Sequence, residues 1–162
     1  MDTLPPLFHG TYELFPIGVR LKGRGDAYDE DWNMLGHYEA VHHHRPETFT
    51  AHRDAVFLCE LDDIDACGGA TENVSLMRPI GPVTRHDLNW SGKIVLLLNA
   101  GHQVESEAVR DLCLNYWHGV PTEDPLWEYI AQEAEVLASA TFEDADVLYD
   151  FLDEEMELSC GM

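Results

Sequence analysis

No apolar run in this chain is longer than Ile94 to Leu98, and polar residues, Gly or Pro bound the others as closely. A bilayer-spanning helix needs about 20 consecutive apolar residues, so none of these runs can cross a membrane as a helix. Runs this short suit strands, and a helix is expected only where apolar residues recur at helical spacing. Two segments meet that condition. From Glu105 to Trp117 the residues Val109, Leu112, Cys113, Tyr116 and Trp117 fall on one face, with Ser106 placed to cap the start and Gly119 to close the end. From Glu143 to Glu157 an acidic amphipathic helix is expected, with Val147, Leu148, Phe151 and Leu152 on its packed face.

The remaining apolar runs read mostly as extended chain. Pro6 to Thr11 is a short strand ending in a polar turn, Ala55 to Cys59 a buried strand, and Asn73 to Arg78 a strand ended by Pro79 and the Gly81-Pro82 turn. The continuous apolar character of Ile94 to Leu98 predicts a core strand. Trp127 to Leu137 predicts an extended piece, a turn and a strand. Between these, Tyr12 to Leu21 reads as an irregular loop with Gly18 before a second extended stretch, and Leu61 to Ala66 as one helical turn stopped by Gly68-Gly69. Arg24 to Pro46 reads as a long polar and aromatic loop carrying a short helix over Asp31 to His43. The expected class is α+β, as a single domain over residues 1–162.

That size matches one domain, which buries roughly two-thirds of the surface of its unfolded chain. An apolar fraction of 45% supplies the core despite a formal charge of −22. The charge is unevenly spread, because no Lys or Arg follows Arg110 while acidic residues continue to the end. Binding to nucleic acid or to an anionic membrane needs clustered cations, and nine Lys and Arg in all are too few to cluster. A basic protein partner is the complementary expectation. Cys59, Cys67, Cys113 and Cys160 form no C-x-x-C pair, which predicts inert thiols; with an N-terminus lacking the pattern of a secretory signal, this predicts a cytoplasmic protein.

Motifs of several enzyme classes are missing. There is no G-x-S-x-G elbow, no P-loop and no G-x-G-x-x-G. His42-His43-His44 are consecutive, so their side chains diverge and cannot all hold one ion; no metal site is expected.

Other residues carry a resemblance. Leu7-Phe8-His9-Gly10-Thr11 resembles the H-G-T opening of the ADP-ribosyltransferase superfamily, in particular of the small bacterial rifampin ADP-ribosyltransferases. Arg53 to Leu58 resembles the second core strand of that family, and Val74 to Val83 the strand and turn that follow. Trp127-Glu128-Tyr129 with Ala134 to Leu137 resembles its late strand pair. The similarity spans about 7–137 and lies in the order and spacing of these motifs. It implies a split, mostly antiparallel two-sheet core followed by the acidic C-terminal helix. It also implies NAD as a substrate and cleavage of the bond between nicotinamide and ribose, with transfer of ADP-ribose to a protein or small-molecule acceptor.

In that family's terms His9 holds the ribose, Gly10 lets the backbone approach the nicotinamide amide and Thr11 ties the strand end. Phe57 offers a stacking face where the family often has Tyr, and Arg53 reaches a pyrophosphate oxygen. Glu128 is the preferred carboxylate for the oxocarbenium-like transition state. Asp87, in R-H-D-L-N-W, is the competing candidate, because an Asp serves there in the rifampin-modifying relatives. A second function class stands beside this one: an inhibitor whose acidic surface imitates nucleic acid and occupies a basic groove on a host protein, as the charge of −22 would suit.

Overall fold

The computed structural model describes residues 4–25, 36–67 and 70–151. It is α+β with two mostly antiparallel sheets, and contacts group the chain into two compact units. One comprises Met1–Leu21, Leu58–Ile80 and Ala134–Met162, the other Lys22–Phe57 and Gly81–Glu133. No helix among the described residues is long and apolar enough to cross a membrane.

The first unit contains most of a four-stranded sheet, with β1 (Leu7–Thr11), β4 (Asn73–Ile80), β7 (Glu133–Thr141) and β2 (Arg20–Lys22) in the order β1-β4-β7-β2. β1 runs antiparallel to β4, with Phe8 opposite Leu76 and His9 opposite Ser75. Along β7 the burial alternates, so Ala134, Val136 and Ala138 turn inward. Phe8, Ile64, Val74, Leu76 and Leu148 form the core of this unit. Gly10 is required by packing: a Cβ there would collide with the carbonyl oxygen of Ala70. β4 continues through Pro79 to Ile80, beyond the end expected at Arg78. Its pairing with β1 stops at Met77, so Pro79 removes no donor from that ladder.

The second unit holds most of the sheet β3-β6-β5, formed by β3 (Val56–Leu58), β6 (Trp127–Ala131) and β5 (Thr84–Asp87). Its helices are α1 (His37–His43), α2 (Asn89–Asn99) and α3 (Glu107–Trp117). α3 follows the sequence signals closely. Ser106 Oγ accepts from the Val109 amide at 3.4 Å, and Gly119, at φ +68°, ends the helix with paired bonds from Gly119 N to Tyr116 O and from Val120 N to Asn115 O.

α2 corrects the strand expected at Ile94 to Leu98. Only Ile94 of that run is fully buried, Leu97 and Leu98 pack partly against the same core, and Leu96 is 68% exposed. Trp90, Ile94, Leu97 and Leu98 recur at i, i+4, i+7 and i+8, a helical stripe hidden inside a continuous apolar run.

The C-terminal segment also departs from expectation. A 3₁₀ turn, Phe142–Asp144, precedes helical residues 147–151. Leu148 is buried and Phe151 packs partly, but Val147 is 54% exposed and leaves the predicted apolar face. The rest of the predicted helix, Leu152 included, lies outside the described residues, as do Cys160 and residues 31–35 of the predicted Asp31 to His43 helix.

Candidate functional site: a buried polar cluster in the second unit

The residues singled out from the sequence divide between the two units. His9, Gly10 and Thr11 lie on β1 of the first, where the Thr11 hydroxyl donates to the Glu13 carbonyl and closes the turn after the strand. Phe8, just before His9, exchanges two backbone hydrogen bonds with Cys59, at 2.8 and 3.0 Å. Arg53, Phe57, Asp87 and Glu128 belong to the second unit.

There the structure gathers Glu128 and Phe57 around two residues the sequence reading did not select. Glu128 is the second residue of β6 and lies directly opposite His86 of β5. Its Oε2 accepts a hydrogen bond from the Tyr116 hydroxyl at 3.0 Å, and that hydroxyl sits 2.8 Å from His52 Nε2. Tyr116 comes from the last turn of α3, and His52 opens the 3₁₀ turn His52–Asp54 that leads into β3. Phe57 packs its ring edge-to-face with His52, with centroids 5.3 Å apart. Arg53 donates from Nε to the Tyr38 hydroxyl at 3.2 Å.

Aromatic rings seal this cluster. His86 stacks on Tyr116 at 4.9 Å, and Trp117 packs against His52, His86 and Tyr116. The Trp117 indole is held in turn by a 2.8 Å bond to the Val41 carbonyl. Burial pushes the Glu128 carboxyl up to about 7, against the opposing pull of the Tyr116 hydrogen bond. Burial likewise pushes His52 down to about 3, helped by the positive fields of His37, His86, His42 and Arg45. His86 falls to about 4, again through burial and despite its backbone hydrogen bond. Both histidines are therefore neutral near pH 7, while Glu128 is poised between its two forms.

Asp87 has a different job. Its Oδ1 accepts from the amides of Asn89 at 2.9 Å and Leu126 at 3.1 Å, and its Oδ2 from the amide and hydroxyl of Thr122 at 2.7 and 2.6 Å. These four donors account for the acceptor positions of a carboxylate. Burial alone would raise its pKa, but the bonds from Thr122, Asn89 and Leu126 hold it below the usual carboxylate range. The side chain thus ties the start of α2 to the loop before β6. Glu128 differs: among the described residues nothing donates to its Oε1.

The histidine run is dispersed. His42 stacks on Tyr38, His44 Nε2 reaches the Val104 carbonyl at 2.8 Å, and no group of three His, Cys, Asp or Glu among the described residues is arranged to hold a metal ion. Cys113 is a buried thiol pushed up to about 12, and it is inert as a nucleophile near neutral pH. Tyr116 escaped the sequence reading because it occupies an apolar position of the α3 stripe. Its hydroxyl was the available signal, since a buried Tyr needs a polar partner.

The fold and this cluster define an α+β chain with a carboxyl, a phenol and an imidazole hydrogen-bonded in series in one of its two units. No protein-family model and no curated protein matches the chain.

Proposed function

We propose that this protein breaks the bond between nicotinamide and ribose in NAD and transfers ADP-ribose to an acceptor, with Glu128 as the carboxylate that stabilises the oxocarbenium-like centre. The observation that carries the reading is the contrast between the two carboxyls that competed for this role. Asp87 is saturated by four donors, whereas Glu128 spends one oxygen on Tyr116 and keeps Oε1 for a ribose hydroxyl. Its dry surroundings strengthen any interaction with developing positive charge, and that charge in turn favours the ionised carboxylate over the acid.

The resemblance supplies the other roles. In the unit that holds Glu128, Phe57 stacks and Arg53 meets the pyrophosphate. The two-sheet α+β build supports the reading as the class of fold it requires, and the split ADP-ribosyltransferase core is its finer form. A net charge of −22 favours a basic protein as the acceptor.

Nicotinamide release from NAD, followed by chromatography, tests the reaction. Glu128→Gln keeps the shape and removes the charge, so the rate is expected to fall by roughly a hundredfold, about 3 kcal/mol, with NAD affinity nearly unchanged. Asp87→Asn, compared at equal folded fraction, keeps its turnover. Abolished turnover in Asp87→Asn with an intact rate in Glu128→Gln would reverse the assignment. Absence of calorimetric binding at millimolar NAD would remove the foundation of the reading and leave the acidic inhibitor in its place.

A further inference from the structure

We propose that His52, Tyr116 and Glu128 form a proton relay, in which the charge of Glu128 and the tautomer of His52 change together. The relay concerns the proton of Glu128 alone and does not require NAD as the substrate. Where the reading above holds, it is the route by which a buried carboxyl becomes charged as the cationic centre develops.

The geometry contains every part of such a chain. The three groups are buried, at 5%, 1% and 6% exposure, and successive polar atoms lie 2.8 and 3.0 Å apart. The middle member is a hydroxyl, which donates one hydrogen bond while accepting another. When Glu128 is ionised it can only accept, so the Tyr116 hydroxyl donates to Oε2 and His52 Nε2–H donates to the Tyr116 oxygen. A proton arriving at His52 forms a bond to Nδ1. The Nε2 proton then passes to the Tyr116 oxygen, and the original hydroxyl proton of Tyr116 passes to Glu128 Oε2. One proton has entered, three bonds to hydrogen have formed and two have broken. His52 ends neutral with its proton on Nδ1, Tyr116 ends neutral and donates to Nε2, and Glu128 is a carboxylic acid donating to Tyr116. Burial first, and the positive charge of Arg45 after α1, work against a resting imidazolium at His52, which also faces His37 and His42 on α1 and the neutral His86 on β5, so a proton reaching it is passed on.

His86 provides an internal contrast. Its Nδ1 lies 2.9 Å from the Tyr116 carbonyl, which can only accept, so that nitrogen carries the proton and Nε2 accepts from the Thr84 hydroxyl at 2.8 Å. Its tautomer is locked. His52 differs in the partner of its Nε2: the Tyr116 hydroxyl can donate as well as accept, whereas the carbonyl facing His86 Nδ1 can only accept.

The test is an NMR titration of the folded protein carrying ¹⁵N-histidine and ¹³C-carboxyl glutamate, without NAD. In the natural sequence His52 Nε2 is expected to move from its protonated to its unprotonated chemical-shift range as pH falls, at the same midpoint as the Glu128 carboxyl, while His86 keeps its proton on Nδ1. Tyr116→Phe removes only the linking oxygen. It should abolish the tautomer change of His52 and move the Glu128 midpoint further up, because the ionised form loses its donor. Glu128→Gln should leave His52 in one tautomer across the same range. A His52 tautomer that stays constant while Glu128 titrates in the natural sequence overturns the relay, as does persistent coupling in Tyr116→Phe. Should Tyr116→Phe fail to fold, the natural sequence and Glu128→Gln decide between the same outcomes. Nicotinamide release is read in a separate experiment, so failure of the relay and failure of ADP-ribosyl transfer are distinguishable.

Discussion

In the unit built on β1, β4 and β7 the buried cluster is made of Phe8, Ile64, Val74, Leu76, Leu148 and their apolar neighbours, and Thr11 and Ser75 are the only polar residues among its described buried ones. In the other unit His52, His86, Asp87 and Glu128 are all buried, as are Tyr116 and Trp117. Burying an ionisable group costs several kcal/mol unless hydrogen bonds replace its water. The first unit avoids that cost, and the second offsets it with partners at 2.6 to 3.1 Å. Stability in the first therefore depends on filled volume and in the second on matched donors and acceptors, and among the described residues the buried carboxyls and imidazoles lie in the second.

The largest effect is expected where volume matters most. Phe8→Ala empties the middle of the first core and should cost about 4 kcal/mol in urea unfolding. A loss under about 1 kcal/mol would mean that this core is not held by packing. In the second unit Asp87→Asn turns an amide group toward amide and hydroxyl donors and should cost about 3 kcal/mol by the same measurement. An unchanged midpoint there would show that the loop does not depend on the carboxylate.

A pH series sharpens the contrast further. Between about pH 4.5 and 6.5, His52 and His86 bind fewer protons folded than unfolded, because burial lowers them to about 3 and about 4. Their contribution to stability is present above pH 6.5 and lost as pH falls. Glu128, raised to about 7, binds more protons folded than unfolded, so its contribution falls as pH rises through the same window. Removing it with Glu128→Gln should steepen the rise of stability with pH near pH 5 by about 1 kcal/mol per pH unit. Unfolding free energies at pH 4.5, 5.5 and 6.5, compared between the natural sequence and the variant, measure that slope; an identical slope would mean that Glu128 is ionised throughout. The smallest effect belongs to the first unit. Val147→Ser, at an exposed position, should change stability by less than about 0.5 kcal/mol, and a larger loss would place Val147 in the packed face after all.

How much of this was legible differs from element to element. α3 was readable to within two residues at its start, because Ser106 and Gly119 act on the backbone beside them and the apolar stripe has the helical period. β1, β3 and the β6–β7 pair were readable for the same local reason. α2 was misread because a continuous apolar run satisfies strand and helix alike, and only the neighbours that bury Ile94 and leave Leu96 in water distinguish the two. The pair of candidate carboxyls, Asp87 and Glu128, was visible as residues, but their different environments were not.

The amino-acid sequence by itself determined the α+β class, the capped helix, most of the strands and the acidic balance, since propensity, capping and periodicity operate over a few neighbouring residues. Only the tertiary structure decided that Asp87 is a saturated clasp and that Glu128 is joined to Tyr116 and His52. Those partners stand 12 and 64 residues apart along the chain, and a hydrogen bond across such a separation exists only once packing has brought its donor and acceptor within about 3 Å.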